Sequence, residues 1–180
     1  MSNSLHQAVE RGSQIEGAML MRTLYAEPIT AEAFAPFGVL MHAPTGPARL
    51  YYDEGLESAR PWARASFSLC RAAPTALPLT VERMERHAFS SQSFCPMNDA
   101  RYLVIVAPHA REGGPDGELA RAFIAATGQG VTYRRNVWHS PLTVLDNTGD
   151  FVILMWRDGS SGDEEFVTLA EPFGVALAEG

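Results

Sequence analysis

Two stretches of this 180-residue chain gather side chains able to move protons. The first runs from Arg86 and His87 to Ser91-Gln92-Ser93-Phe94, directly after the strand-like residues 79–85. The second runs from Gly130 to Pro141 and contains Tyr133-Arg134-Arg135-Asn136-Val137-Trp138-His139. Imidazole titrates near neutral pH, so His87 and His139 are the candidates for general acid and base. A single histidine beside a strand more often completes a core hydrogen bond, so neither earns a role by itself. His6, His42 and His109 fall in the tail or in loops and are given none.

A metal site would need more. An H-x-H pair with a carboxylate and a distant histidine is a persuasive ligand set in a barrel. Here the second residue after His87 is Phe89, and the polar side chain nearby is neutral Gln92. The set open to a metal is therefore His87, Gln92 and His139, without an anion. The expectation is a metal-free pocket with no cofactor, a divalent metal on His87, Gln92 and His139 being possible but not implied.

Other catalytic templates fail. The serines at 90–93 and 160–161 lack a G-x-S-x-G elbow, and Gly128-Gln-Gly130 is no dinucleotide fingerprint. The acidic stretch 158–165 (DGSSGDEE) reads as a solvated hairpin loop as readily as a calcium loop.

The elements that must carry these residues are mostly short strands cut by proline and glycine. Thr30 before Ala-Glu-Ala-Phe predicts an N-cap and one helical turn, ended by Pro36 and Gly38. Phe67 and Leu69 alternate with Ser66, Ser68 and Cys70, which predicts a half-buried strand. Residues 79–87, 91–94, 131–134, 142–145 and 151–157 read as further strands. Residues 102–107 (YLVIVA) are continuously apolar and predict a buried central strand. A hairpin connection is expected at 147–150. Leu119, Ala122, Phe123 and Ala126 recur at helical spacing and predict one amphipathic helix. Many close-spaced strands point to a sandwich or closed barrel, with jelly roll and immunoglobulin-like arrangements both open. Residues 1–18 are polar and unpatterned and read as a flexible extension before one domain over 19–180.

Composition removes whole classes of function. Fourteen basic residues against 21 acidic ones give a net charge of −7, which argues against nucleic-acid or anionic-membrane binding. All fourteen are arginine. Without lysine there is no Schiff base, no covalently held pyridoxal phosphate and no P-loop lysine. Apolar runs are far short of the roughly 20 residues a membrane helix needs, and no secretory signal is expected at the start. Cys70 and Cys95 are 25 apart and form no metal or disulfide framework, which fits thiols in a reducing cytoplasm.

Several ordered blocks together resemble the ureidoglycolate lyase family of allantoin degradation. They are Ile29-Thr-Ala-Glu-Ala-Phe-Ala-Pro-Phe-Gly38, Leu77-Pro-Leu-Thr80, Glu85-Arg86-His87, and Ser91-Gln92-Ser-Phe94-Cys-Pro96. Gly130-Val-x-Tyr-Arg-Arg-Asn-Val-Trp-His139 with Pro141-Leu142, then Asp150-Phe151, complete the set. The resemblance spans about residues 21–169. It departs at Ala88 and at Ser140, where family members usually carry proline and histidine.

The resemblance implies an all-β, cupin-like barrel or jelly roll with one or two short helices. It also implies a homodimer, a small-molecule substrate, and cleavage of ureidoglycolate into glyoxylate and urea. That reaction needs a base for the hydroxyl proton, an acid for the departing nitrogen, a cation for the carboxylate and amides for the ureido end. On that footing His139 is the principal acid/base and His87 assists or orients. Arg71 or Arg135 clamps the carboxylate. Gln92 and Asn136 read the ureido group, and Trp138 walls the pocket. A metal-dependent cupin enzyme on a related ureido or hydroxy acid, and a non-catalytic carboxylate binder, remain the alternatives.

Overall fold

The computed structural model describes residues 21–178. The expected extension over 1–18 lies outside them. In chain order the strands are β1 (Thr23–Pro28), β2 (Gly38–His42), β3 (Arg64–Ala72), β4 (Leu79–His87), β5 (Gln92–Pro96) and β6 (Tyr102–Ala107). They continue with β7 (Arg121–Ala125), β8 (Gln129–Tyr133), β9 (Trp138–His139), β10 (Thr143–Val144), β11 (Gly149–Arg157) and β12 (Glu164–Leu177). The helix α1 (Ala31–Phe34) is the single turn expected, with the Thr30 side chain accepting from the Ala33 N–H at 3.1 Å. Gly38 follows because the chain there presses on β8: a Cβ at this position would sit 2.0 Å from the Thr132 carbonyl.

Two sheets form. One runs β10-β6-β7-β1-β12-β4-β9, and β9 also pairs with β6, which closes it into a ring. The other is β2-β8-β5-β11-β3. The result is a mainly β fold with a closed barrel. One apolar cluster fills the space between the sheets and a second lies on the other side of the seven-stranded sheet.

This double burial explains β6. Tyr102, Val104 and Val106 belong to the first cluster and Leu103, Ile105 and Ala107 to the second. Both faces are covered, so the sequence shows no alternation. It also explains the principal error of the sequence reading. The helix expected around Leu119–Ala126 is instead a 3₁₀ turn at Gly117–Leu119 followed by strand β7 between β1 and β6. Phe123 and Ala125 face the first cluster and Ala122 the second. A short run buried on both sides cannot be told from a helix by periodicity.

Three further corrections concern exposure and connection. In β3 the apolar face points outward, leaving Phe67 68% and Leu69 69% exposed. Residues 147–150 are not a hairpin, because β10 pairs with β6 and β11 with β3 and β5. The 14-residue β12 escapes the sequence reading, since its glutamates and Pro172 mask the strand pattern. Its register against β4 shifts between Thr168 and Phe173.

Candidate active site

The two-residue strand β9 closes the ring: the His139 backbone lies opposite Glu85 of β4 and Val106 of β6. Successive residues of a strand face opposite ways. Trp138 therefore enters the second cluster, on the far side of the seven-stranded sheet, fully buried, while His139 turns toward the space between the sheets. There its ring stacks on Tyr133 of β8, centroids 4.2 Å apart. The same period puts Glu85 and His87 of β4 on one face, and Gln92 opens β5 across the gap. Glu85, His87, Gln92 and His139 are all buried.

Their hydrogen bonds are directional. His139 Nδ1–H donates to the Val137 carbonyl at 2.9 Å, since a carbonyl can only accept. Its Nε2 faces two oxygens, Gln92 Oε1 at 3.1 Å and Glu85 Oε1 at 3.5 Å. That nitrogen suits a proton shared with both, or a cation. Burial pushes the Glu85 carboxyl up, but its hydrogen bond to His139 and the charges of His139, His87 and Arg83 outweigh this and hold it below its ordinary value. Burial is also the largest influence on His87. Together with the His139 charge it lowers His87 below the usual imidazole range, against the pull of Glu85, Asp163 and Glu164. Burial and the Glu85 charge push the Tyr133 phenol up, so it stays neutral.

Ligand atoms of Glu85, His87 and His139 lie within 4.8 Å of one another. Glu85 adds a carboxylate to the set His87, Gln92 and His139, which by sequence had no anion. A carboxylate with two imidazoles is a donor set that fits a divalent cation. Both His87 ring nitrogens are buried without a hydrogen-bond partner among the described residues, so the imidazole can contribute a nitrogen to such a donor set. The signal was present in the sequence: Glu85 is two residues before His87, on the same strand face.

Outward from this cluster a cavity of about 410 Å³ opens, within the size range of small-molecule sites. Ser66 and Ser68 of β3, Arg157 of β11 and Asp163 line it with His87 and Gln92. The polar face of β3 is thus the cavity face. A larger cavity of about 710 Å³, between Arg22, Glu118, Leu169 and Phe173, contains none of the candidate residues.

The other expected residues are elsewhere. Arg71 is exposed and bonded in bidentate fashion to Asp150, at 2.6 and 2.9 Å. Arg135 is exposed beside Glu57, and Arg134 donates to the Ala35 carbonyl. Asn136 holds a corner at φ 67°: its N–H donates to the His87 carbonyl and its Oδ1 accepts from Arg86. Trp138 is core, with Arg86 over one face and its Nε1–H donating to His109 Nδ1 at 3.1 Å. His109 Nε2–H in turn donates to the Asn136 carbonyl at 2.7 Å. Asn136, Trp138 and His109 therefore shape the approach to His139 without entering the cavity. Glu85, Arg157 and Asp163 are the residues the sequence reading missed.

The family described as ureidoglycolate lyase matches residues 21–176. A ureidoglycolate lyase of Chelativorans sp. (strain BNC1) is 39% identical over 168 residues, 88% of this chain and 99% of that one. Another, of Mesorhizobium japonicum, is 41% identical over 81% of this chain and 93% of its own. Among solved structures, RmlC of Streptococcus suis aligns with TM-score 0.41 and 11% identity, over 74% of this chain and 57% of that one.

Proposed function

The chain belongs to the ureidoglycolate lyase family, and from that premise we propose how its cavity works. The protein is a carbon–nitrogen lyase that splits ureidoglycolate into glyoxylate and urea, in allantoin degradation. The observation carrying the mechanism is the buried cluster of His139, Glu85, His87 and Gln92, two of which, His87 and Gln92, line a cavity of substrate size while Glu85 and His139 stand behind them.

In the reaction the substrate hydroxyl loses its proton and its oxygen becomes the glyoxylate carbonyl. The C–N bond breaks, and its electron pair leaves on nitrogen, which gains a proton to give urea. His87, kept neutral by burial, takes the hydroxyl proton. His139 delivers the other from Nε2, held by Val137 on one side and by Gln92 and Glu85 on the other. Gln92 offers an amide to the ureido end. Arg157 replaces Arg71 and Arg135 as the carboxylate's partner, because it lines the cavity and makes no ion pair among the described residues. Losing a charge-assisted bond costs about 1.5–3 kcal/mol. Arg157→Ala accordingly raises KM by about 10- to 100-fold, and an unchanged KM removes Arg157 from this role.

Incubation with each enantiomer of ureidoglycolate, following glyoxylate and urea together against a no-enzyme control, tests the function. Equimolar release is expected. Ammonia and carbon dioxide in place of urea would mean an amidohydrolase.

A second reading is favoured by the unpartnered His87 nitrogens beside Glu85. Glu85, His87 and His139 would hold a divalent cation, which when bound supplies Lewis-acid polarisation of the substrate oxygens. Stoichiometric metal, with activity lost to a chelator and restored by one ion, selects this version.

The same proposal includes a cytoplasmic homodimer. Cys70 and Cys95 are unbridged, in keeping with a reducing compartment. Phe67 and Leu69 stand on the outer face of β3, opposite Leu154 and Val152 of β11, as an apolar stripe suited to a second copy. Sedimentation at micromolar concentration is expected to give a dimer, and Phe67→Glu a monomer. A wild-type monomer, or a wild-type species in which Phe67→Glu changes nothing, overturns this face as the interface.

A further inference from the structure

Among the described residues, three buried side-chain atoms lack a hydrogen-bond partner: Nδ1 and Nε2 of His87 and Oδ2 of Asp163. A buried polar group without a partner is costly wherever it stands. These three are neighbours, with His87 Nδ1 4.0 Å from Asp163 Oδ2.

Asp163 is fixed from the other side. Its Oδ1 accepts the Phe89 N–H at 2.6 Å and its carbonyl accepts the Ala88 N–H at 3.1 Å, so it is tied to the two residues that follow His87. The connection it ends is held as well. Arg60 donates to Asp158 at 2.6 Å and to the Gly162 carbonyl at 3.1 Å, and its guanidinium lies 3.9 Å over the Phe89 ring. The carboxylate is thus anchored by one oxygen, and the other faces the imidazole about 1 Å beyond hydrogen-bond length.

We propose that Asp163 is the positioning residue of His87, its Oδ2 accepting Nδ1–H and so fixing the ring tautomer. A carboxylate can only accept, so the proton belongs on Nδ1 and the lone pair on Nε2. The inference deepens the lyase reading and rests on it for the consequence: bare Nε2 is the atom that receives the substrate hydroxyl proton. If the cluster holds a cation, the same bond orients His87 as a ligand, and the requirement on the tautomer is unchanged.

The test is the ring-nitrogen NMR of His87 in the full-length protein with ¹⁵N-labelled histidine, for wild type and Asp163→Asn. Wild type is expected to carry the proton on Nδ1. The asparagine still accepts from Phe89, but its NH₂ can face the ring, which moves the proton to Nε2. kcat then falls about 10- to 100-fold, as for other groups that orient an imidazole, with KM little changed, and Asp163→Glu recovers part of it. Wild-type His87 with its proton on Nε2 overturns the proposal, and so does an asparagine variant with unchanged tautomer and kcat. Should Asp163→Asn fail to fold, the wild-type spectrum decides alone. Absence of lyase turnover in wild type would refute the functional reading and leave the tautomer result standing.

Discussion

His139→Ala is expected to lower kcat on ureidoglycolate by about 100-fold or more, the usual contribution of a positioned acid/base group. KM should change little, because Gln92 and Arg157, which are assigned to binding, remain in place. The ring it removes is buried and stacked on Tyr133, so a stability loss of about 1–3 kcal/mol accompanies the change. The backbone of residue 139 still bridges β4 and β6, and circular dichroism should show the fold retained. A folded variant turning over within a few-fold of wild type would take His139 out of the mechanism.

Glu85→Gln comes next in size, with kcat about 10- to 100-fold lower. The exchange preserves volume and removes the carboxylate that, among the described residues, groups with both histidines. It also turns an acceptor into a side chain able to donate. With Nδ1–H committed to Val137, an amide N–H on Nε2 would leave His139 no proton to deliver. If the cluster binds a cation, the variant also loses it, and metal content separates the two versions.

Stability supplies an independent check on Glu85. Its carboxyl is held below the ordinary value of 4.5, so in the folded state it stays ionised to lower pH than in the unfolded chain. Its contribution is complete above pH 4.5 and is lost as pH falls through the folded value. Tm of Glu85→Gln should therefore decline less steeply on the acid side. An acid limb identical to wild type would show that the carboxyl is not held in this way.

The sequence alone established that the fold is built of strands and singled out the two histidines that the structure brings together. Short strands punctuated by proline and glycine, the Thr30 cap and the apolar run 102–107 are local signals. They depend on turn chemistry, capping and propensity, which neighbouring residues determine. The blocks around His87 and His139 identified the family for the same reason, being contiguous in the chain. Glu85 was equally readable through its two-residue offset from His87 on the same strand face.

What only the tertiary structure decided is which side chains share a space. Trp138 and His139 are adjacent, yet one enters the core and the other the site, because β9 lies between β4 and β6 and its two residues face opposite sides of the sheet. Arg71, Arg134 and Arg135 have the right chemistry for a carboxylate, but Asp150, Ala35 and Glu57 take them. Arg157 and Asp163 reach the cavity at His87 from 70 and 76 positions further along the chain, through the register of β11 and β12 against β3 and β4. Strand β7 looked helical because burial on two sides erases the alternation that marks a strand. Pairing across such distances is fixed by packing and hydrogen-bond register between strands, and no single segment of the chain contains that information.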